Sequence, residues 1–408
     1  MPAVPLRVPA FRRLATTYTL NELCWGFGTI ALAVLVFDRT GSVLATTLLF
    51  LVTTFVPALV APALTARLDR LAVRRALPAL YLCEASLFAM LAALSGAFWL
   101  PAVLALALLD GTIAIVGRGL TRAAVAAVLE PSGTLAEGNK LLNVCFSVAY
   151  ATGPGVAGVV VARAGTAASL AVTAGIFVVM AAALVTSRTL PQARGGADRS
   201  WRARLLEGLR YVRAERTLRA VLAAHGTTLS LLAVGVPIEV AYVKESLGAG
   251  DLAYGLLLAA WGAGTVLSSI ALARVRARSP LVLIPLTAGA MGAGYLIMAV
   301  SPSVALAMLG CLIGGAGNGV YYVSVVQAVQ ERLPDEFQAR VMGLLESVNA
   351  AGYGIGFLAG GAIAAVADPR LPFGLAAGGV LVAAFAIRML LRNSAPAEPA
   401  ATALAPAT

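Results

Sequence analysis

The sequence carries little charge for its length. Asp, Glu, Lys and Arg together make up 12% of its 408 residues, about half the share found in a typical soluble domain. Hydrophobic residues make up 60%, and the mean hydropathy is +0.89. Lipid accommodates such a surface and water does not. The shortage of charge therefore excludes a soluble protein and predicts one that crosses a membrane several times.

Histidine and cysteine are also scarce. His225 is the only histidine, and the four cysteines all fall inside long apolar runs: Cys24, Cys83, Cys145 and Cys311. Cysteines in such runs act as small packing residues, which argues against disulfides and a metal centre. No glycine-rich phosphate-binding loop is present. The sequence thus predicts no enzyme, no metal ion, no cofactor and no ATP site, so that an ion gradient, most simply of protons, would drive any transport.

Twelve apolar runs have the length of a membrane-crossing helix, about 20 residues. They lie near 14–37, 43–66, 76–96, 101–122, 140–162, 166–187, 219–242, 252–273, 281–300, 304–330, 340–366 and 372–391. Only a helix satisfies its own backbone groups in lipid without a partner strand. The predicted fold is therefore an all-α membrane protein with twelve transmembrane helices.

The basic residues are distributed unequally between the two ends of these spans. Four of the 30 Lys and Arg residues fall on one side: Arg39, Arg163, Lys244 and Arg370. Nearly all the others fall on the opposite side, which the positive-inside rule makes cytoplasmic. We therefore predict a multi-pass protein of the plasma membrane with both termini in the cytoplasm and no cleavable signal peptide. The net charge of +11 is then explained by basic residues on the cytoplasmic side, where anionic membrane lipid favours them, and it requires no nucleic-acid partner.

A basic segment divides the chain into two halves of six spans each. The predicted domains are residues 1–187 and 219–391, with a cytoplasmic linker at 188–218 and a disordered cytoplasmic tail at 392–408. In the linker, apolar residues recur at helical spacing: Trp201, Leu205, Leu209, Tyr211 and Val212. This pattern predicts an amphipathic helix that lies along the membrane surface.

The two halves resemble each other around their fifth span. Pro131 precedes Gly153 by the same 22 positions that separate Pro334 from Gly356. Small residues also match when the sequence is shifted by 203 positions: Ala149, Gly153 and Gly158 with Gly352, Gly356 and Gly361. Such residues let helices pack closely, which would explain either span alone. Their repetition favours a duplicated, pseudo-symmetric chain, the architecture of many secondary transporters.

Two motifs resemble those of the major facilitator superfamily. The stretch "AYATGPGVAG" at Ala149–Gly158 is similar to the fifth-helix motif of its drug/proton antiporters through Gly153, Pro154 and Gly158, although alanines replace two glycines. The loop "TARLDRLAVRRAL" resembles the signature between the second and third helices, although Thr65 and Arg67 depart from it. Its matching residues are Asp69, Arg70, Arg74 and Arg75. The resemblance implies that these two motifs control the conformational change.

Three shorter stretches resemble macrolide-efflux and enterobactin-exporter proteins: "FRRL" at Phe11–Leu14, "FDRTGS" at Phe37–Ser42 and "ARVMGLL" at Ala339–Leu345. The resemblance covers about residues 10–392. It implies a monomeric, proton-coupled secondary exporter of drugs, antibiotics, siderophores or similar amphipathic molecules, working by alternating access. Uptake of a polar solute remains an alternative. A non-transporting sensor or lipid-handling scaffold is another.

Five ionisable residues inside the spans are candidates for proton coupling: Glu22, Asp110, Arg118, His225 and Glu346. Charged groups inside a membrane are costly and mark proton relays or substrate paths. Glu22 has two other interpretations, a static partner of Arg118 or a contact to a cationic substrate. His225 could instead be a neutral packed group. Glu84 lies on the third span, which is peripheral in the resembling fold, and we assign it a structural role.

Polar and aromatic residues on the first and tenth spans could line an amphipathic substrate cavity. They are Asn21, Trp25, Tyr321, Tyr322 and Gln327. In the resembling fold, these two spans border the central cavity together with the fourth and seventh. The same residue types also pack between helices without binding a ligand.

Overall fold

The computed structural model describes residues 5–60, 73–185, 201–274 and 279–391, and it contains helices and turns but no strand in these ranges. The helices are α1 Pro9–Thr40, α2 Val43–Phe50, α3 Val73–Leu94, α4 Leu100–Leu129, α5 Leu135–Val185, α6 Trp201–Ala214, α7 Arg216–Ala233, α8 Asp251–Arg274, α9 Pro280–Val300, α10 Val304–Gln330, α11 Asp335–Ala364 and α12 Arg370–Leu391. Shorter helical turns follow α2 at Leu51–Phe55 and α7 at Val236–Ile238, Glu239–Ala241 and Tyr242–Ser246. The all-α fold class is confirmed.

Eleven helical stretches of the described residues are long and apolar enough to cross a membrane. One of them, α5, has 51 residues and would be about 77 Å long if it were straight, more than twice the thickness of the hydrocarbon layer. Gly165 interrupts it with φ 84° and ψ 169°, a conformation that essentially only glycine adopts. The break separates the predicted fifth and sixth spans, so the described residues contain all twelve predicted spans, the second as far as Val60 and the sixth as far as Val185.

Local sequence explains the limits of α1. Pro9 occupies its first position, where the fixed φ of proline suits a helix and the missing N–H costs nothing. Gly41 ends it with φ 58°, and its N–H donates to the Phe37 carbonyl. The helix begins five residues before the predicted span, and this places Glu22 near its middle.

The described residues belong to two compact units. The first comprises the described residues within Met1–Ala197 and Pro237–Gly262, and the second those within Asp198–Val236 and Ala263–Thr408. The segment 237–262 lies in the second half of the sequence but packs with the first unit. The two units divide the chain by contacts, so they do not test the predicted halves at 1–187 and 219–391, which divide it by sequence repeat. The predicted halves stay a prediction. Residues 188–200 of the linker and the tail 392–408 lie outside the described residues.

Small residues bring helix backbones together in the first unit. A Cβ placed on Gly26 of α1 would lie 3.1 Å from the backbone of Gly153 in α5. The other part of α5 packs against α3, where Phe177 contacts Tyr81 and Phe88 at ring-centroid distances of 6.0 and 5.6 Å. Glycine and aromatic contacts thus fix α5 against α1 and α3.

The second unit has an equivalent glycine contact. A Cβ on Gly356 of α11 would lie 2.4 Å from the Ser230 carbonyl oxygen of α7. Gly356 is the residue that the shift of 203 positions pairs with Gly153, so both fifth spans bring a glycine against another helix of their own unit.

The linker contains the predicted helix, α6. Tyr211 stacks on Phe337 of α11 at 4.6 Å, and Glu207 pairs with Arg340 at 3.1 Å. This part of α6 therefore packs on α11 of its own unit, a contact that the sequence did not indicate.

Candidate functional site

Three helices of the first unit bring acidic and basic side chains together. Glu22 of α1 is 6% exposed, Glu84 of α3 is 2% exposed, and Asp110 of α4 is partly buried. Arg118, also on α4, interacts electrostatically with all three carboxyl groups. We name Glu22, Glu84, Asp110 and Arg118 the acid cluster.

A second arginine borders the acid cluster. Arg122, one helical turn after Arg118, interacts electrostatically with Glu22 and with the Tyr18 hydroxyl. Its side chain is exposed, whereas that of Arg118 is half-buried. The group therefore contains three carboxyl groups and two guanidinium groups.

Glu84 is the member of the acid cluster that sequence analysis assigned elsewhere. It is an acid in the apolar run "YLCEASLF", the same signal that identified Glu22. In the structure, Glu84 is close enough to Asp110 and Arg118 to interact with both electrostatically. Its position on a helix that is peripheral in the resembling fold does not separate it from these charges.

Three stacked aromatic rings, here called the aromatic row, lie in the first unit. Trp25 of α1 is 46% exposed, and its ring stacks on Tyr150 of α5 at 5.9 Å. Tyr150 stacks in turn on Phe146 at 5.6 Å. Asn21, one turn before Trp25, is buried. Sequence analysis found Asn21 and Trp25 but missed Tyr150 and Phe146, for which the four-residue spacing on one helix was the available signal.

A hydrogen-bonded network links three helices of the second unit. His225 of α7 contacts Asn349 of α11 at 2.6 Å between Nε2 and Oδ1. The Asn349 amide donates to Glu346 Oε2 at 3.3 Å, and the Tyr322 hydroxyl of α10 donates to Glu346 Oε1 at 3.4 Å. The structure thus brings together the predicted residues His225, Glu346 and Tyr322 through Asn349, which the sequence analysis did not name.

The remaining predicted cavity residues take different positions. The Tyr321 ring stacks on His225 at 5.7 Å, so Tyr321 belongs to the same region. Gln327 is exposed, and its amide donates to Glu331 at 2.8 Å. Gln327 therefore pairs along its own helix and is not joined to this network.

The predicted fifth-helix motif forms a contact with α8 inside the first unit. A Cβ on Gly255 would lie 2.7 Å from both Gly158 Cα and the Pro154 carbonyl oxygen. A Cβ on Gly262 would lie 2.7 Å from Ala151 Cα. We call this region the glycine contact. Its backbones are too close to admit any side chain.

An ion triad lies in the same unit. The Lys244 ammonium group pairs with the Asp38 carboxylate, at the end of α1, and with Asp251 at 2.7 Å, at the start of α8. Like the glycine contact, it joins the segment 237–262 to a helix from the first half of the sequence.

The predicted loop motif is described only in part. Arg74 and Arg75 are exposed in the first turn of α3. Asp69 and Arg70 lie outside the described residues.

Comparison with known proteins finds a protein family that matches nearly the whole chain and a multidrug efflux pump that is similar to part of it. A family model for "Transmembrane secretion effector" matches residues 1–406. The chain is 26% identical over 252 residues to the "Multidrug efflux pump Tap" of Mycolicibacterium fortuitum. This match covers 59% of the chain and spans only 59% of the length of that pump.

Solved structures of transporters share the fold. The nucleoside transporter NupG superposes with a TM-score of 0.76 at 15% identity, covering 94% of this chain and 99% of that chain. A bacterial homologue of the human lysosomal transporter Spinster gives 0.67 at 15% identity, covering 95% of each chain. The POT family transporter PepTSo gives 0.72 at 8% identity, covering 94% of this chain and 98% of that one. At these identities the similarity shows a common fold alone.

Proposed function

Because this chain belongs to the transmembrane secretion effectors of the major facilitator superfamily, we propose that it exports hydrophobic or amphipathic small molecules in exchange for protons. It does so as a monomer in the plasma membrane, by alternating access, with both termini in the cytoplasm. Similarity to a multidrug efflux pump over 59% of the chain supports export of drug-like compounds.

The observation that carries proton coupling is the acid cluster. Its three carboxyl groups and the guanidinium groups of Arg118 and Arg122 lie on membrane-crossing helices. An unpaired charge in such a place is costly, and the charges balance when one carboxyl group carries a proton. The cluster can therefore hold a proton in one state of the cycle and release it in another.

The aromatic row supports the choice of substrate class. Trp25 and Tyr150 combine a large apolar ring with a polar edge, and Trp25 and Phe146 are exposed. Stacked rings of this kind bind flat apolar compounds without demanding one pattern of hydrogen bonds. A site for one particular polar solute would need more fixed donors and acceptors.

The ion triad and the glycine contact supply the conformational part of the proposal. Alternating access requires contacts that exist in one state and are lost in another. Both features join the segment 237–262 to helices from the first half of the sequence. We assign them to the closed state of one side of the transporter.

Proton release by the purified protein tests this function directly. Ethidium, an amphipathic cation, is added to a weakly buffered solution of the detergent-purified full-length protein and a pH indicator dye. We expect release of about one proton for each ethidium bound, and ethidium export from proteoliposomes that depends on a pH gradient. Gradient-independent export, or ethidium binding without proton release, would contradict proton coupling. Accumulation of a polar solute such as uridine in the same vesicles, without ethidium export, would favour uptake.

A further inference from the structure

Three buried polar atoms of the second unit have no hydrogen-bond partner among the described residues. They are His225 Nδ1, Thr228 Oγ1 and the Tyr321 hydroxyl. The three residues are 2%, 0% and 2% exposed. A polar group left without a partner inside a membrane-crossing bundle costs free energy. A concentration of three such groups indicates a place where something else supplies the partners.

The hydrogen-bond network determines which atom of His225 is the acceptor. The Asn349 side-chain nitrogen, which can only donate, lies 3.3 Å from Glu346 Oε2 and donates to it. The Asn349 oxygen therefore faces His225, 2.6 Å away, and Nε2 must carry the hydrogen. In the neutral ring Nδ1 is then a bare acceptor.

The two hydroxyl groups belong to residues that adjoin His225. Thr228 follows His225 by three residues on α7, so both side chains share a helix face. The Tyr321 ring stacks on the imidazole ring, and its hydroxyl interacts with Thr228, although neither hydroxyl reaches a partner within hydrogen-bond distance. Each hydroxyl can donate one hydrogen bond and can also accept.

We propose that His225, Thr228 and Tyr321 form a polar binding subsite for a hydroxyl group of a ligand. The ligand's hydrogen is donated to His225 Nδ1, and the two hydroxyls pair with the same ligand group. Asn349 is a positioning residue that fixes the tautomer. The inference rests on the proposed function for its ligand, a transported amphipathic molecule. The three polar atoms are enclosed in this structure, so the ligand group enters when α7 and α10 separate.

The tautomer is the first test, because the single histidine gives one isolated pair of ring signals in a ¹⁵N spectrum. Full-length protein labelled with ¹⁵N-histidine should show a protonated Nε2 and a bare Nδ1. Asn349→Leu removes the acceptor and should yield a mixture of tautomers. The control is Asn143→Leu, which replaces an exposed asparagine on α5 and should leave the spectrum unchanged. A protonated Nδ1 in the unchanged protein would overturn the proposal.

Ligand chemistry is the second test, with benzyl alcohol and benzyl methyl ether as matched probes. Only the alcohol can donate a hydrogen bond, and only the alcohol should shift the Nδ1 signal. Thr228→Val and Tyr321→Phe should each weaken the alcohol's apparent affinity about fivefold, the effect of losing one neutral hydrogen bond. Thr46→Val, at a buried threonine of the first unit, should have no effect.

The same spectra separate a ligand from a retained water molecule. An Nδ1 that is already hydrogen-bonded without probe, and that the alcohol does not shift, means that the site holds water only. Equal shifts from alcohol and ether mean non-specific partitioning. Either result overturns the subsite. Neither measurement requires transport, so the subsite can survive a failure of proton-coupled export, and the proton-release assay can succeed without it.

Discussion

Arg118 is the positive charge common to the three carboxyl groups of the acid cluster. Each carboxyl group comes from a different helix, so the arginine links α1, α3 and α4 electrostatically. Removing an acid takes away a possible proton carrier, whereas removing the arginine leaves acids without a counter-charge. The two kinds of substitution therefore have different consequences.

Glu22→Gln should abolish the dependence of ethidium export on the pH gradient. Glutamine has nearly the same shape as glutamate but carries no exchangeable carboxyl proton, so folding and expression should be retained. Export from proteoliposomes with and without a gradient measures the effect. Glu130→Gln, at an exposed glutamate, is the matched control. A Glu22→Gln variant that still responds to the gradient would move the carrier to Asp110 or Glu84.

Arg118→Met should destabilise the protein more at pH 8 than at pH 5. Ionised carboxylates lose their counter-charge at high pH, whereas carboxyl groups that gain protons at low pH no longer need it. We expect a loss of about 1–3 kcal/mol at pH 8, below the range for a fully buried pair because Arg118 is half-buried. Thermal unfolding at both pH values measures it, with Arg163→Met, at an exposed arginine, as control. An equal loss at both pH values would mean that Arg118 acts through packing alone.

Some of these residues could be found from the sequence and others could not. Glu22 and Arg118 are conspicuous because a charge in an apolar run has few interpretations. Glu84 gave the same signal, but its meaning depended on which helices touch. Asn349 gave no signal and Tyr150 only its four-residue spacing from Phe146, because amides and aromatic rings are ordinary in membrane helices and only tertiary contacts distinguish them.

At the scale of elements, α5 determines much of the first unit. It contacts α1 at Gly153, α8 at Gly158 and α3 at Phe177. The contact with α8 brings backbone against backbone and tolerates no added atom, whereas a Cβ on Gly153 would meet Leu23 of α1 at 3.6 Å, an ordinary van der Waals distance. The break at Gly165 depends on backbone conformation and not on space, since a Cβ there would meet nothing within 4 Å.

Gly255→Ala should separate α8 from α5. Its Cβ would lie 2.7 Å from Gly158 Cα, too close for real atoms, so the backbones must move apart. Spin labels at Val156 and Leu252, both exposed, would report a longer or broader distance after the four native cysteines are replaced. Gly175→Ala, where a Cβ meets nothing within 4 Å, is the control on α5. An unchanged distance in Gly255→Ala would show that the glycine contact is not tight.

Gly165→Ala should lower stability by about 1–3 kcal/mol, because alanine is strained at φ 84° even where space is available. The thermal unfolding midpoint in detergent measures the loss. Gly175→Ala is again the comparison, since it adds the same methyl group at a helical glycine. Equal midpoints for the two variants would mean that the backbone at Gly165 relaxes without cost.

Sequence patterns predicted the elements well and their contacts poorly. The interval between the fifth and sixth spans was placed correctly, because a run of 51 residues cannot remain within one bilayer thickness. The docking of α6 on Phe337 of α11 was missed. An amphipathic helix needs an apolar surface, and its sequence does not say whether lipid or protein provides it.

For the whole molecule, the division into two units differs from the division of the sequence. Segment 237–262 belongs by its contacts to the first unit, although the repeat assigns it to the second half. A repeat shows which helices are related, whereas contacts depend on the conformation adopted. The ion triad is one of the contacts that place this segment in the first unit.

Lys244→Gln should weaken this association. It leaves the Asp38 and Asp251 carboxylates close together without a cation, and we expect a loss of about 1 kcal/mol, in the range of partly exposed ion pairs. Thermal unfolding measures it, and 1 M NaCl should reduce the difference from the unchanged protein by screening. The triple variant Asp38→Asn, Lys244→Gln, Asp251→Asn should recover the loss. A triple variant no more stable than Lys244→Gln would show that charge is not the cause.

The connection through Gly165 has a mechanical consequence. Only Gly165 separates the two long helical segments of α5, so the end of one segment cannot move far without the start of the other. The glycine contact acts on the first segment at Gly158, and Phe177 of the second stacks on Tyr81 of α3, the helix that carries Glu84. In the proposed transport cycle, a movement of α5 away from α8 is therefore expected to reach the helix that holds an acid of the cluster, so that α5 couples the conformational change to proton release.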